Sequence, residues 1–221
     1  MAVLGYMSNK NTGLIRFLSL YLIFLLSSTA YAHPVSFEDG TMFTSSYSKD
    51  WIESDLNYTF SPSSSIGLSQ FRITEQQDTR DYLIPRLSKR FRKNSLDYQA
   101  NLYLTAGLGA RLDESSSRLS KLIGIQADYE TRRIYTLGLA ESVIDNDGAP
   151  RTHFQYRLGF APYKSNFHEV ATWLIAQADY RPFKEDEISI TPLVRFFYQN
   201  VLFEVGYDLD KNISTTFMIN F

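Results

Sequence analysis

The chain has 221 residues, with 22 basic and 24 acidic side chains, three histidines and no cysteine. A net charge of −2 argues against a nucleic-acid partner, and the lack of cysteine excludes disulfides, thiolate chemistry and a lipid-modified N-terminal cysteine. The composition is rich in Tyr and Phe, and no stretch after residue 33 reaches helical transmembrane length.

The first predicted element is an export leader. Lys10 and Arg16 supply positive charge ahead of the apolar run 17–26, and Ala30, Tyr31 and Ala32 form a small-x-small cleavage site. A spanning helix needs about 20 apolar residues, whereas Ser27, Ser28 and Thr29 interrupt this run. A cleaved signal peptide over 1–32 and one domain over 33–221 are therefore expected. Lys10 and Arg16 are the leader's only charges, so cleavage takes the net charge from −2 to −4. Residues 33–40 are expected to be flexible.

Period-two alternation then marks candidate strands along the chain. The segment 41–47 is the faintest, 51–60 follows, and 65–74 and 82–92 are weak. In the clearest, 96–110, Leu96, Tyr98, Ala100, Leu102, Leu104, Ala106 and Leu108 alternate with polar or small residues. Segments 119–130, 134–144, 152–161, 169–181, 188–198, 201–209 and 213–221 complete the series. The fold class that follows is all-β, an antiparallel up-and-down barrel of twelve strands, with ten as the alternative.

The links support this order. Links 61–64, 93–94, 131–133 and 199–200 are short, while 75–81, 112–118 and 145–151 are longer and polar, the alternation that such barrels show. The long link 162–168 is the exception on the short side. Parity across the turns predicts that Tyr198 faces Val201, Leu209 faces Ile213 and Arg90 faces Asp97. Pro85 and Pro192 fall inside strands and count mildly against closure, because each lacks a ladder donor.

The final segment puts Ile213, Thr215, Phe217, Ile219 and Phe221 on one face and stops on an aromatic residue. It resembles the C-terminal assembly signal of Gram-negative outer-membrane β-barrel proteins, with Phe217, Ile219 and Phe221 as the signal residues. The resemblance implies a transmembrane barrel in the outer membrane, in contact with lipid and lipopolysaccharide and inserted by the barrel assembly machinery. A soluble periplasmic barrel or sandwich would show the same alternation with its apolar face inward. Aromatic residues near strand ends favour the membrane form: Trp51, Tyr58, Phe60, Tyr82, Phe91, Tyr129, Tyr135, Tyr180, Tyr198 and Tyr207 suit an interfacial girdle.

With the apolar face toward lipid, the polar face lines the interior. It carries Arg86, Arg90, Arg92, Arg111, Arg157, Arg181 and Arg195, and the acids Glu53, Asp55, Asp97, Asp128, Asp179, Glu204 and Asp208. One reading is a narrow channel for small polar solutes tuned by opposed charges. The other is a plugged barrel with a structural or binding role, its interior held by cross-strand salt bridges. Arg86, Arg90 and Arg92 on one strand, beside Arg157 and Arg195, also resemble the arginine-lined lumens of the small porins for acidic oligosaccharides. That resemblance implies anionic solutes, although no motif assigns the chain to that family and the interleaved acids dilute the pattern.

The rival class is an outer-membrane enzyme acting on lipid or protein, which needs a base beside a nucleophile or paired acids. His153 near the external rim, with Ser142, Asp145 or Asp147 across the preceding loop, is the available arrangement, and a solvated rim histidine is the commoner case. His33 and Pro34 offer too few donors for a good metal site, and no phosphate-cradling glycine loop is present. Neither a cofactor nor a metal is expected. The acidic run 185–187 reads as solvated, and the sequence carries no signal for oligomeric state.

Overall fold

Alternating residues, short turns and a terminal strand able to pair with the first combine into a closed wall. The computed structural model describes residues 33–221 except 76–77, 113–116, 147–149, 167 and 184–187. The leader and the acidic run 185–187 therefore lie outside the described residues.

Twelve strands follow in order: β1 (Thr41–Tyr47), β2 (Trp51–Ser61), β3 (Ser64–Glu75), β4 (Asp78–Asn94), β5 (Tyr98–Leu112), β6 (Ser117–Thr131), β7 (Ile134–Asp145), β8 (Arg151–Phe160), β9 (Ala171–Tyr180), β10 (Ser189–Tyr198), β11 (Val201–Tyr207) and β12 (Ile213–Asn220). Each pairs antiparallel with its sequence neighbours, and β12 pairs with β1 to close the barrel. Thr41 and Phe221 exchange backbone hydrogen bonds of 3.2 and 2.8 Å, so the two ends of the wall share one rim. We call this the terminal rim and its opposite the loop rim. The wall is uneven, with 15 residues each in β5 and β6 but 7 in β1 and 8 in β12.

Tyr198 pairs with Val201 across a tight turn in which Gln199 has φ 53°, whereas three other local expectations shift. Ile213 pairs with Tyr207 instead of Leu209. Asp208 lies in the intervening link, where its carboxylate accepts from the Asn212 backbone N–H at 2.7 Å and side-chain amide at 2.9 Å. Arg90 pairs with Tyr103, because β4 runs to Asn94 and leaves Asp97 exposed in the link to β5. The expected loop 75–81 is mostly strand. Arg72 binds Asp81 at 2.7 and 3.1 Å and Thr74 meets Thr79 at 3.3 Å, pairs that carry the ladder up to Glu75 and Asp78. The long link after β8 remains long.

Both prolines are accommodated. The β4–β5 ladder pairs Leu83 with Ala110 and Arg86 with Gly107 and skips Pro85, while Pro192 pairs with Ala176. The wall closes around them.

Outward positions form an apolar belt, including Leu56, Tyr58 and Phe60 on β2, Leu102, Leu104 and Leu108 on β5, and Phe154, Tyr156, Leu158 and Phe160 on β8, all exposed. A soluble monomer rarely exposes apolar surface on this scale, whereas a bilayer requires it of a closed barrel. Stacked pairs Tyr98–Tyr129 and Phe154–Tyr180 sit on this face, with ring centroids 5.4 and 6.1 Å apart.

The inward face is not uniformly polar. Trp51, Tyr82 and Tyr135, expected in the outer girdle, point inside and are buried. Trp51 and Tyr82 pack with Phe71, Ile73, Ile84, Leu122 and Val143, and Tyr135 packs with Leu137, Trp173, Ile175 and Leu193. Eight strands give a bore that side chains fill, and about sixteen leave a wide aqueous channel; twelve lie between, so bulky inward residues occupy part of the interior.

Candidate functional site

At the terminal rim the start of the segment 33–40, expected to be flexible, folds into the bore, while Phe37, Glu38 and Asp39 are exposed. Val35 is fully buried and its carbonyl accepts from Arg90 Nη1 at 3.1 Å. Arg90 Nη2 also donates to the Pro62 carbonyl, and Ser65 Oγ to that of Pro34. Ser36 Oγ donates to Asn220 Oδ1 at 2.8 Å. His33 stacks on Tyr103 at 5.1 Å and lies 3.4 Å from Asp128, which accepts from Asn101 at 2.7 Å. Residues 33–36 are thus bound inside the barrel by contacts that their own sequence does not display.

Further in, alternation on each strand aims a succession of charged side chains at the interior. From β2 come Glu53 and Asp55, from β4 Arg86, and from β7 Glu141. Arg86 Nη2 lies 3.0 Å from Asp55, its Nη1 3.6 Å from Glu53, and its Nε donates to Asn57 Oδ1 at 3.2 Å. On the β8–β11 side, Glu204 accepts from Arg195 Nε at 2.5 Å and Arg157 Nη1 at 3.0 Å, and Arg195 stacks over Tyr135 at 4.5 Å.

Nearer the loop rim, Asp179 lies 2.7 Å from His153 Nε2 and accepts from Gln155 at 3.0 Å and Gln177 at 2.6 Å. Asp145 is the focus of a second knot. It accepts from Ser120 at 2.8 Å and Tyr82 at 3.1 Å, with Arg151, Arg111 and Arg80 nitrogens at 3.4, 3.6 and 3.8 Å.

Of the candidate residues, Arg86, Arg90, Asp128, Arg157, Asp179, Arg195 and Glu204 therefore face the interior, Arg111 stands at the loop rim, and Asp97 does not contribute. Phe217 and Ile219 face outward on β12, and Phe221 is exposed at the terminal rim. Sequence reasoning missed Glu141, Arg80 and Arg151 as interior charges. Glu141 shares parity with Tyr135, Leu137 and Leu139, so β7 presents apolar residues inward and the polar-face rule fails there.

The grouping considered for hydrolysis is not assembled by the described residues. Ser142 faces outward and bonds Thr152 at 2.8 Å, Asp145 is held by its own donors, and His153 is held by Asp179. Asp147 lies outside the described residues.

Between these groups runs a cavity of about 160 Å³. Its lining begins at Ser48 and Arg181 by the loop rim, passes His153, Arg157, Glu141, Glu53, Asp55 and Arg86, and ends at His33 and Pro34. One water occupies about 30 Å³ of liquid, so the space holds several waters or a small solute.

No protein-family model and no curated protein matches the chain. Among solved structures, the chain is similar to a KdgM porin in complex with disordered oligogalacturonate, at 9% identity and a TM-score of 0.49 over 82% of this chain and 98% of that one. It is also similar to a KdgM porin structure, at 10% and 0.44 over 82% and 98%, and to Acinetobacter baumannii OccAB4, at 10% and 0.41 over 81% and 56%.

Proposed function

We propose that this chain is an outer-membrane barrel that passes small polar solutes or ions along its charged bore. The observation that carries the reading is the cavity reaching from Ser48 and Arg181 down to His33 and Pro34 with ionised groups on its walls. Such a lining replaces part of a solute's hydration, while the outward apolar belt meets lipid. The terminal rim then faces the periplasm, lipid and lipopolysaccharide surround the belt, and Phe217, Ile219 and Phe221 serve the assembly machinery during insertion. The arginines give the bore no clear preference for anions, since Arg86 meets Asp55, Arg157 and Arg195 meet Glu204, and Arg111 and Arg151 meet Asp145.

A second reading, a closed barrel with a structural or binding role, is favoured by the buried segment around Val35. Planar-bilayer recording of the refolded protein separates the two. Discrete small conductance steps are expected of a channel, and their complete absence under voltage and in high salt leaves the closed barrel.

A further inference from the structure

The outward wall is not evenly filled. Across β8 to β11 it carries an apolar groove of about 1030 Å³, in which Ala176 and Pro192, register partners with short side chains, lie among the larger Leu158, Leu174 and Tyr207. Ala176 is also the register partner of Leu158, so the recess runs across neighbouring strands. A flat wall touches a hydrocarbon chain on one side only, whereas a recess surrounds it with more atoms at contact distance.

One end of this groove is marked by charge. Ile134 and Phe160 line it at the terminal rim, and the Arg133 guanidinium lies over the Phe160 ring at 5.0 Å. That position is fixed by the neighbouring backbone: Arg133 Nε donates to the Ala161 carbonyl at 2.8 Å, Nη2 donates to that of Pro162 at 3.2 Å, and the Ala161 N–H returns to the Arg133 carbonyl at 3.0 Å. The β6–β7 turn is thereby tied to the long link after β8. Exposed Arg132 stands in the same turn and exposed Lys164 in the same link. None of these three cations has an acid partner among the described residues, in contrast to Arg86, Arg157 and Arg195 in the bore. The two carbonyls leave Arg133 its charge and its other N–H groups for an anion.

We propose that the groove and Arg133 form a site for one anionic phospholipid, phosphatidylglycerol, with an acyl chain along Ala176 and Pro192 and the phosphate at Arg133, beside Arg132 and Lys164. A guanidinium matches a phosphate bidentately, and each basic residue at a membrane surface favours a headgroup of net negative charge. The long link 162–168, the exception among the terminal-rim connections, then holds Arg133 in place and carries Lys164. The site rests on the outer-membrane reading, which puts the terminal rim in the periplasm and so against the leaflet of phospholipid rather than that of lipopolysaccharide.

The test is native mass spectrometry of the refolded full chain, released from detergent after incubation with equal amounts of phosphatidylglycerol, phosphatidylethanolamine and lipopolysaccharide, alongside bilayer conductance of the same preparation. One retained phosphatidylglycerol per chain is expected. Ala176→Phe fills the floor of the groove and should weaken retention at least about fivefold, while Ala106→Phe, the same change on the outward face of β5 away from the groove, should leave it unchanged. Arg133→Gln should abolish the preference over phosphatidylethanolamine. Because that variant also frees the link, Arg132→Gln combined with Lys164→Gln removes charge while keeping the bonds of Arg133, and should weaken retention at least about fivefold.

Heat-modifiable gel mobility reports whether each variant folds. Absence of retained phosphatidylglycerol on a conducting wild-type protein overturns the site and leaves the channel. Retention without conductance supports the site and overturns the passage of solutes. Lipopolysaccharide or phosphatidylethanolamine held as well as phosphatidylglycerol, or retention indifferent to Ala176→Phe, also overturns the proposal.

Discussion

Arg195 on β10 and Glu204 on β11 are register partners whose side chains meet at 2.5 Å, 1% and 2% exposed. Arg157 adds a second guanidinium to the same carboxylate. Glu204→Gln therefore strands two buried cations and is expected to destabilise the barrel by about 3–5 kcal/mol, as loss of one member of a buried pair does. Urea titration in detergent micelles, followed by the mobility of the folded form, measures it. Replacing Arg157, Arg195 and Glu204 together by apolar residues should recover most of the loss; an unchanged midpoint for Glu204→Gln alone would refute the pairing argument.

Arg90 holds the inserted segment through the carbonyl of Val35 and ties it to the β2–β3 turn through that of Pro62. Arg90→Met removes both bonds while keeping the length of the side chain. Under the channel reading, single-channel recordings are expected to show larger or longer openings, by about twofold or more if the segment is the main resistance. Identical records from mutant and wild type would show that residues 33–40 do not limit passage.

Two glycines give opposite outcomes from the same substitution. At Gly109 an added Cβ would lie 2.2 Å from the Leu83 carbonyl oxygen, a backbone atom beside the Pro85 gap. Gly109→Ala should cost about 1–3 kcal/mol through overpacking. At Gly138 nothing lies within 4 Å, so Gly138→Ala should stay within about 0.5 kcal/mol of wild type. Thermal loss of fast gel mobility compares them directly.

Asp145 stands among Arg80, Arg111 and Arg151 at the loop rim. Asp145→Asn keeps the hydrogen-bonding shape and removes the negative charge, leaving the rim more positive. In a potassium chloride gradient the reversal potential is expected to move toward that of chloride. A move toward potassium, or none, would show that this knot lies off the path of the ions.

The wall was far more legible than its contents. On β5, leucines and alanines alternate with polar or tiny residues, so the sequence displays both the strand and its faces. On β7, Tyr135, Leu137 and Leu139 turn inward while Gly138, Ala140 and Ser142 turn outward, and the apolar-out rule conceals Glu141. Register was legible only modulo two: moving the partner of Ile213 from Leu209 to Tyr207 alters the turn without changing which face is which. Trp51 and Tyr82 were misassigned because an aromatic near a strand end serves an interface or an interior equally well. The inserted residues 33–40 have no periodicity, and their position depends on Arg90, Ser65 and Asn220, which are distant in sequence.

The 7 and 8 residues of β1 and β12 contrast with the 15 of β5 and of β6, and a spanning strand commonly uses about 9–11. Under the outer-membrane reading, hydrocarbon chains beside the low portion of the cylinder must shorten or tilt, so the surrounding leaflet is thinner there than on the tall portion. The junction that completes the cylinder is also its lowest stretch. Heat should unzip the protein there first, and insertion should finish there, where the ladder is only six residue pairs long, as short as any in the wall.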